Sequence, residues 1–321
     1  MPAAGDSPLV RRFPSLSVVP RVALGHFPTP VEQLDAFGPS LWIKRDDLGA
    51  TPFGGNKVRA LEFLLAGVRP GGRVVTVGSA GSTHALAVAT YASALGARTS
   101  VGRWRQEMND SAVCVATRIE GVADETRLFR TPPEAYLWAW RRAKGAIWVA
   151  AGGSTPIGIL GHVNAGLELA EQIETGALPK PATVVVPLGT GGTAAGLALA
   201  FAIAGLDIDL MGVRVVPWIV GRRRRVLGLA RRTAAIIERG TGTRVPAVKR
   251  DAVRVVHEAY GGAYGRETAA ARAAAARLAD TTGVRLDATY SAKAFEVALR
   301  LASREAVLFW LTFDARLLDP P

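Results

Sequence analysis

Two stretches of this chain follow one plan, and the plan leaves few folds open. Residues 73–96, RVVTVGSAGSTHALAVATYASALG, and 182–205, ATVVVPLGTGGTAAGLALAFAIAG, each run from a β-branched apolar strand through glycines into an Ala-rich helix. Near-continuous apolar strands alternating with helices belong to a parallel sheet covered on both faces. TSVGRW, AIWVAAGGSTPIG, DLMGVRVV and AVLFWLTF read as further strands, and RETAAARAAAARLADTTG as a late helix of strong helix formers. The expected class is therefore α/β. With 321 residues, 49% of them hydrophobic, the chain can fill two packed units. Its glycine loops are expected at the carboxyl ends of strands, where open α/β sheets bind ligands.

Three of these loops carry candidate chemistry. Gly189-Thr190-Gly191-Gly192-Thr193 follows a buried strand and opens a helix. Glycines let backbone N–H groups approach an anion, and the helix N-terminus favours negative charge. No lysine follows, so this is not a P-loop. A loose G-x-G-x-x-A dinucleotide pattern ends at Ala194, but the nearby carboxylates Asp207 and Asp209 precede the next strand instead of following it. A plain turn for tight strand–helix packing also fits. In GSAGSTHALAVA, small residues lead to Ser82, Thr83 and His84 at a helix start, where backbone amides and a serine hydroxyl suit a carboxylate. Taken alone, the stretch is equally a capped helix, with His84 a capping or core histidine. In TPFGGNKVRALEFLL, Lys57 stands at a helix start, where the dipole disfavours a cation. Desolvated there, its amine would lose its proton more easily and attack an aldehyde.

Composition removes other classes. The net charge is +12, from 39 Lys and Arg against 27 Asp and Glu, but the arginines are spread along the chain. The dense run Arg222 to Arg225 has apolar residues recurring helically behind it, so it reads as a helix start with one solvated face, and no nucleic-acid site is expected. Four scattered histidines and one cysteine give no zinc spacing, so no metal is expected. Cys114 alone excludes an internal disulfide and fits a reducing, cytoplasmic setting. Apolar runs are too short for a membrane span, and the start, MPAAGDSPLVRRFPSL, has no long apolar segment of a secretory signal.

Together these stretches resemble one family. LWIKRDDLGATPFGGNKVRALEFLL looks like the lysine segment of pyridoxal-phosphate enzymes of the tryptophan-synthase-β type, nearest the D-cysteine desulfhydrase and 1-aminocyclopropane-1-carboxylate (ACC) deaminase group. The resemblance runs from LGHFPTPVEQL through GGSTPIGILGHVNAGLELAEQ and LGTGGTAAGL to LDATYSAKAF and VLFWLTF. It implies a large cofactor-binding domain from residues 1–60 and 166–321, a smaller inserted α/β domain from 61–165, and a homodimer. It implies that Lys57 holds pyridoxal phosphate as a Schiff base and moves the α-proton of a small amino acid, with Asn56 beside it. Gly189, Thr190, Gly191, Gly192 and Thr193 would bind the cofactor phosphate, which removes the dinucleotide alternative. Ser82 would lie near the substrate carboxylate, Tyr264 and Tyr290 would face the substrate, and Thr312 would lie near the pyridine nitrogen. The implied reaction is a β-elimination of the desulfhydrase kind, giving keto acid, ammonia and sulfide; the alternatives are ACC deamination, another β-elimination or β-replacement, or a diverged cofactor-binding protein with little catalysis.

The chain also departs from the family pattern. Thr83 stands where an asparagine reaches the cofactor's ring hydroxyl, so that contact is expected to weaken. Asp287-Ala288 replaces Asp-Pro, and Leu311-Thr312-Phe313-Asp314 replaces His-Thr-Gly-Gly. Phe313 is expected to reshape the pocket. Ser291 stands where the deaminase branch carries a glutamate, which weighs against cyclopropane ring opening.

Overall fold

A computed structural model describes residues 7–318; Met1 to Asp6, part of the stretch read for a secretory signal, lie outside it. The strands are β1 Val31–Gln33, β2 Leu41–Arg45, β3 Arg73–Ser79, β4 Arg98–Trp104, β5 Glu125–Phe129, β6 Ile147–Val149, β7 Thr183–Leu188, β8 Asp209–Arg214, β9 Val253–Val256 and β10 Val307–Leu311. The helices are α1 Pro8–Arg12, α2 Asn56–Leu64, α3 Thr83–Ala94, α4 Asp110–Val122, α5 Pro132–Arg142, α6 Pro156–Glu174, α7 Gly192–Ala204, α8 Arg223–Thr241, α9 Ala269–Thr282 and α10 Ser291–Ala302.

One sheet has the order β1-β2-β10-β7-β8-β9 and is parallel except for β1. The other, β5-β4-β3-β6, is parallel throughout. This is the α/β architecture read from the sequence. All six residues of β7 are buried, because helices cover both faces of its sheet. For the same reason α7, GTAAGLALAFAIA, is apolar all round: it lies among β7, β8, α6 and α8. The domain boundaries expected at 60/61 and 165/166 fall inside α2 and α6, which pack on one another. Among the described residues no helix is long and apolar enough to cross a membrane.

Each sheet reverses its strand order once, between β10 and β7 and between β3 and β6. Such reversals open crevices at the carboxyl ends of the strands. The first is widened by Pro187. β10 pairs with β2 as far as Leu311, but with β7 only as far as Val185. Proline has no N–H to extend the ladder, and the sheet parts there.

Behind the crevices, α2 is locked in place. A Cβ on Gly161 of α6 would lie 1.9 Å from the Arg59 carbonyl oxygen, so only glycine lets the two helices come this close. The Arg59 guanidinium donates to Asp46 and Glu168, Lys44 donates to Glu168 at 2.6 Å, and the Trp310 indole donates to Asp46 at 2.8 Å. Burial alone would raise the Glu168 carboxyl; Arg59 and Lys44 overcome it and hold the group at about 2.

Candidate active site

The glycine pair before Lys57 explains its position. Gly55 has φ 131° and ψ 167°, a region open to glycine alone, and a Cβ there would meet the Thr312 carbonyl oxygen at 2.5 Å. The Asn56 N–H donates to that same oxygen at 3.0 Å. The start of α2 is thus clasped to the end of β10. The Lys57 ammonium donates to Asn56 Oδ1 at 3.1 Å, and Asn56 Nδ2 donates to Thr193 Oγ1 at 2.7 Å. This chain of hydrogen bonds joins the lysine to the glycine loop, across the 137 residues between Asn56 and Thr193. Lys57 is partly open to the cavity along its side chain, while its ammonium sits among protein atoms. Burial lowers that ammonium to about 8, against the pull of Asp287, the direction expected from the sequence.

Gly191 is the N-cap of α7, with φ 91° and no capping side chain, so the first amides of α7 are left open to the cavity. Thr190 Oγ1 lies 2.6 Å from Ser154 Oγ, and Arg225 Nε donates to the Thr190 carbonyl at 2.9 Å. Arg225 is exposed, as read from its run, and in addition braces the glycine loop. Ser82 caps α3, its hydroxyl oxygen accepting from Ala85 N at 3.2 Å, which leaves the hydroxyl proton free to donate. His84 lies in the cavity wall with Nε2 3.4 Å from Thr76 Oγ1. Burial and then the nearby Lys57 charge lower it to about 3, so it is neutral.

Tyr264 and Tyr290 are hydrogen-bonded through their hydroxyls, with ring centroids 5.9 Å apart and planes at 77°. Burial raises both phenols, and Tyr264 pushes Tyr290 further. Tyr290 is aimed by Asp287, whose carboxylate accepts from the backbone N–H groups of Thr289, Tyr290 and Ser291. The loop of Tyr264 is held by Asn109, whose amide donates to the Gly265 carbonyl at 2.6 Å. The Phe313 ring packs against Phe53 in the core, centroids 6.2 Å apart, and the residue also lines the cavity. The Ser291 hydroxyl is buried without a partner.

One cavity of about 820 Å³ is lined by every residue singled out from the sequence: Asn56, Lys57, Ser82, Thr83, Gly189 to Thr193, Tyr264, Tyr290 and Thr312. Both crevices open into it. Sequence reasoning missed Ser154, Arg225 and the anchoring role of Asp287. Asp287 had a signal, an acidic side chain three residues before Tyr290 at a helix start. Arg225 had none, because its partner is a backbone carbonyl 35 residues away.

The sequence pattern of the family described as "Pyridoxal-phosphate dependent enzyme" matches residues 22–312. The chain is 35% identical over 317 residues to nocardicin C-9' epimerase of Nocardia uniformis subsp. tsuyamanensis, covering 94% of each. It is 30% identical over 296 residues to D-cysteine desulfhydrase of Salmonella paratyphi B, covering 87% of each. The crystal structure of an ACC deaminase homologue superposes with a TM-score of 0.79 at 29% identity, covering 94% of each chain.

The residues present fit such a cofactor. An amine of lowered basicity suits an aldehyde, and an uncapped helix N-terminus beside two threonines suits a phosphate. A Cβ on Gly189 would project beside Tyr290, 3.6 Å from its ring, so glycine keeps that space free. Among the described residues, the one carboxylate in the cavity wall, Glu107, is paired with Arg266 at 3.0 Å. Fold, cavity and relatives therefore converge: the chain belongs to the pyridoxal-phosphate dependent enzymes, with pyridoxal phosphate as its cofactor and D-cysteine desulfhydrases and ACC deaminase homologues among its kin.

Proposed function

We propose that the chain is a lyase that takes the α-proton of a small amino acid and expels a β-substituent, releasing a keto acid and ammonia as a D-cysteine desulfhydrase does. The bound pyridoxal phosphate supplies the electron sink for the charge left at Cα. Lys57 would hold the cofactor by its amine, and at about 8 that amine is matched to a base that takes the α-proton near neutral pH. Asn56 orients Lys57 through the 3.1 Å hydrogen bond. Gly189 to Thr193 and the first turn of α7 hold the phosphate. Thr312 would offer a neutral hydroxyl to the pyridine nitrogen, and Thr83 would meet the cofactor with a shorter arm than asparagine. Ser82 and the α3 N-terminus take the substrate carboxylate. Tyr264 and Tyr290, both kept protonated by burial, pass a proton to the departing group. The observation that carries this reading is the hydrogen-bonded run Lys57–Asn56–Thr193, which ties the base to the anion cradle in one cavity.

Ser291 in place of a glutamate weighs against ACC ring opening, which would give 2-oxobutyrate instead of pyruvate. A second reading is inversion at Cα without loss of a substituent. The 35% identity to an epimerase favours it, and it needs only that a Tyr264 or Tyr290 proton return to the face opposite Lys57. We also take the enzyme to be a cytoplasmic homodimer, in keeping with the free Cys114; light scattering on the purified protein tests the dimer.

The protein loaded with cofactor should show a visible absorption band. D-cysteine, L-cysteine, D-serine and ACC are then added in turn, with keto acid, deuterium uptake at Cα and product chirality measured. Pyruvate supports elimination, while deuterium uptake with inversion and no keto acid supports epimerisation. No visible band after adding cofactor overturns both.

A further inference from the structure

Outside the Lys57 region the cavity has a mouth with an aromatic wall. Trp104, at the end of β4, stacks on Tyr136 of α5 with centroids 6.1 Å apart and planes at 19°. Trp148 lies behind Tyr136 at 6.1 Å. Pro132 extends this wall, and Val216, Pro217 and Val220, from the loop after β8, line the same cavity. The guanidinium of Arg225 is close enough to act on the Tyr136 phenol, so the two sides of the mouth approach each other there. Tyr136, which lines the cavity, remains 40% exposed. Large rings left open beside a reactive centre mark surface that a ligand covers. The cavity of about 820 Å³ is the size that holds extended ligands, and a three-carbon amino acid beside the cofactor leaves the mouth unfilled. Among the described residues lining the cavity, the carboxylate of Glu107 is paired with Arg266 and does not attract a cationic side chain.

We propose that this mouth is a subsite for an aromatic group, so that the substrate is an amino acid whose β-substituent ends in an aryl ring. This rests on the reading of Lys57 as the base that removes an amino-acid α-proton. For an elimination the balance is simple. The Cα–H and Cβ–S bonds of S-benzylcysteine break, sulfur leaves with the electron pair and gains a proton, and one water replaces the nitrogen. The products are pyruvate, ammonia and benzyl thiol. The ring lies along Trp104 and Tyr136, gaining burial and offset stacking.

The test compares S-benzylcysteine with S-methylcysteine, both enantiomers of each, on the cofactor-loaded enzyme. Binding is read by calorimetry and tryptophan fluorescence, and keto acid is measured in parallel. The benzyl compound is expected to bind about 10- to 100-fold more tightly than the methyl compound. Tyr136→Ala is expected to weaken benzyl binding about tenfold more than methyl binding, and Trp104→Leu provides a second variant should the first fold poorly. Equal affinity for the two compounds, or equal losses in the variants, overturns the subsite. Tight benzyl binding that depends on Tyr136, with neither keto acid nor inversion, supports the subsite and overturns the catalytic reading instead. Failure of both compounds to bind overturns the subsite and the catalytic reading together.

Discussion

Raising the pH should switch on cofactor capture well before an ordinary lysine permits it. Burial lowers the Lys57 ammonium from 10.5 to about 8, and only the neutral amine attacks an aldehyde. At pH 7 an amine titrating near 8 is neutral about 300 times more often than one titrating at 10.5. The assay mixes cofactor-free protein with pyridoxal phosphate at constant ionic strength and follows the visible band from pH 6 to 10.5. The rate should climb about tenfold per pH unit to about pH 8 and then level off. A climb that continues past pH 10 would refute burial as the cause. The same shift fixes the sign of a stability effect. Between pH 8 and 10.5 the unfolded chain holds the Lys57 proton and the folded chain does not, so the cofactor-free protein gains stability as pH rises through that window. Lys293 titrates in the same range, lowered by burial to about 8, so the comparison must isolate Lys57. The variant Lys57→Met, free of the buried charge, should melt above the parent at pH 7, and the gap should close toward pH 10.5.

Other expectations follow from single contacts. Gly55→Ala places a Cβ 2.5 Å from the Thr312 oxygen at a φ of 131°; it should cost about 2–4 kcal/mol by denaturant titration and weaken the cofactor band. Arg59→Met leaves Asp46 and Glu168 short of a partner in the buried network, and about 3–5 kcal/mol of stability should be lost. Thr83→Asn should tighten cofactor binding about 2- to 10-fold in equilibrium titration, through one added hydrogen bond; unchanged or weaker binding rejects the assignment of Thr83 to the ring. Tyr290→Phe should keep the visible band and lower kcat by about 100-fold. A full-rate Tyr290→Phe enzyme would remove the tyrosine pair from the proton path.

What could be read from the sequence was what neighbours in the chain decide together. The valines of β3 and β7, the glycines that follow them and the helices beyond are contiguous, so strand, turn and ligand-facing end declare themselves within about 24 residues. Lys57 was legible for the same reason, since a cation at a glycine-led helix start is a local conflict. The remainder depends on crossovers between distant segments. Arg59 reads as an ordinary helix charge until β2 and α6 bring Asp46 and Glu168 to it from 13 residues before and 109 residues after. Arg225 is solvated as its run suggests, but its hold on the Thr190 carbonyl shows only once α8 brings its first turn to the loop after β7. The aromatic mouth is the extreme case. Trp104, Tyr136 and Trp148 fall on a strand end, a helix and a short strand, with no spacing to connect them, and only the β4-β3-β6 order gathers them beside the site. The conflict at Lys57 was therefore readable locally, while the aromatic wall near it is assembled by the sheet topology alone. That is why the substrate, and not the cofactor, is the part that needs the S-benzylcysteine comparison.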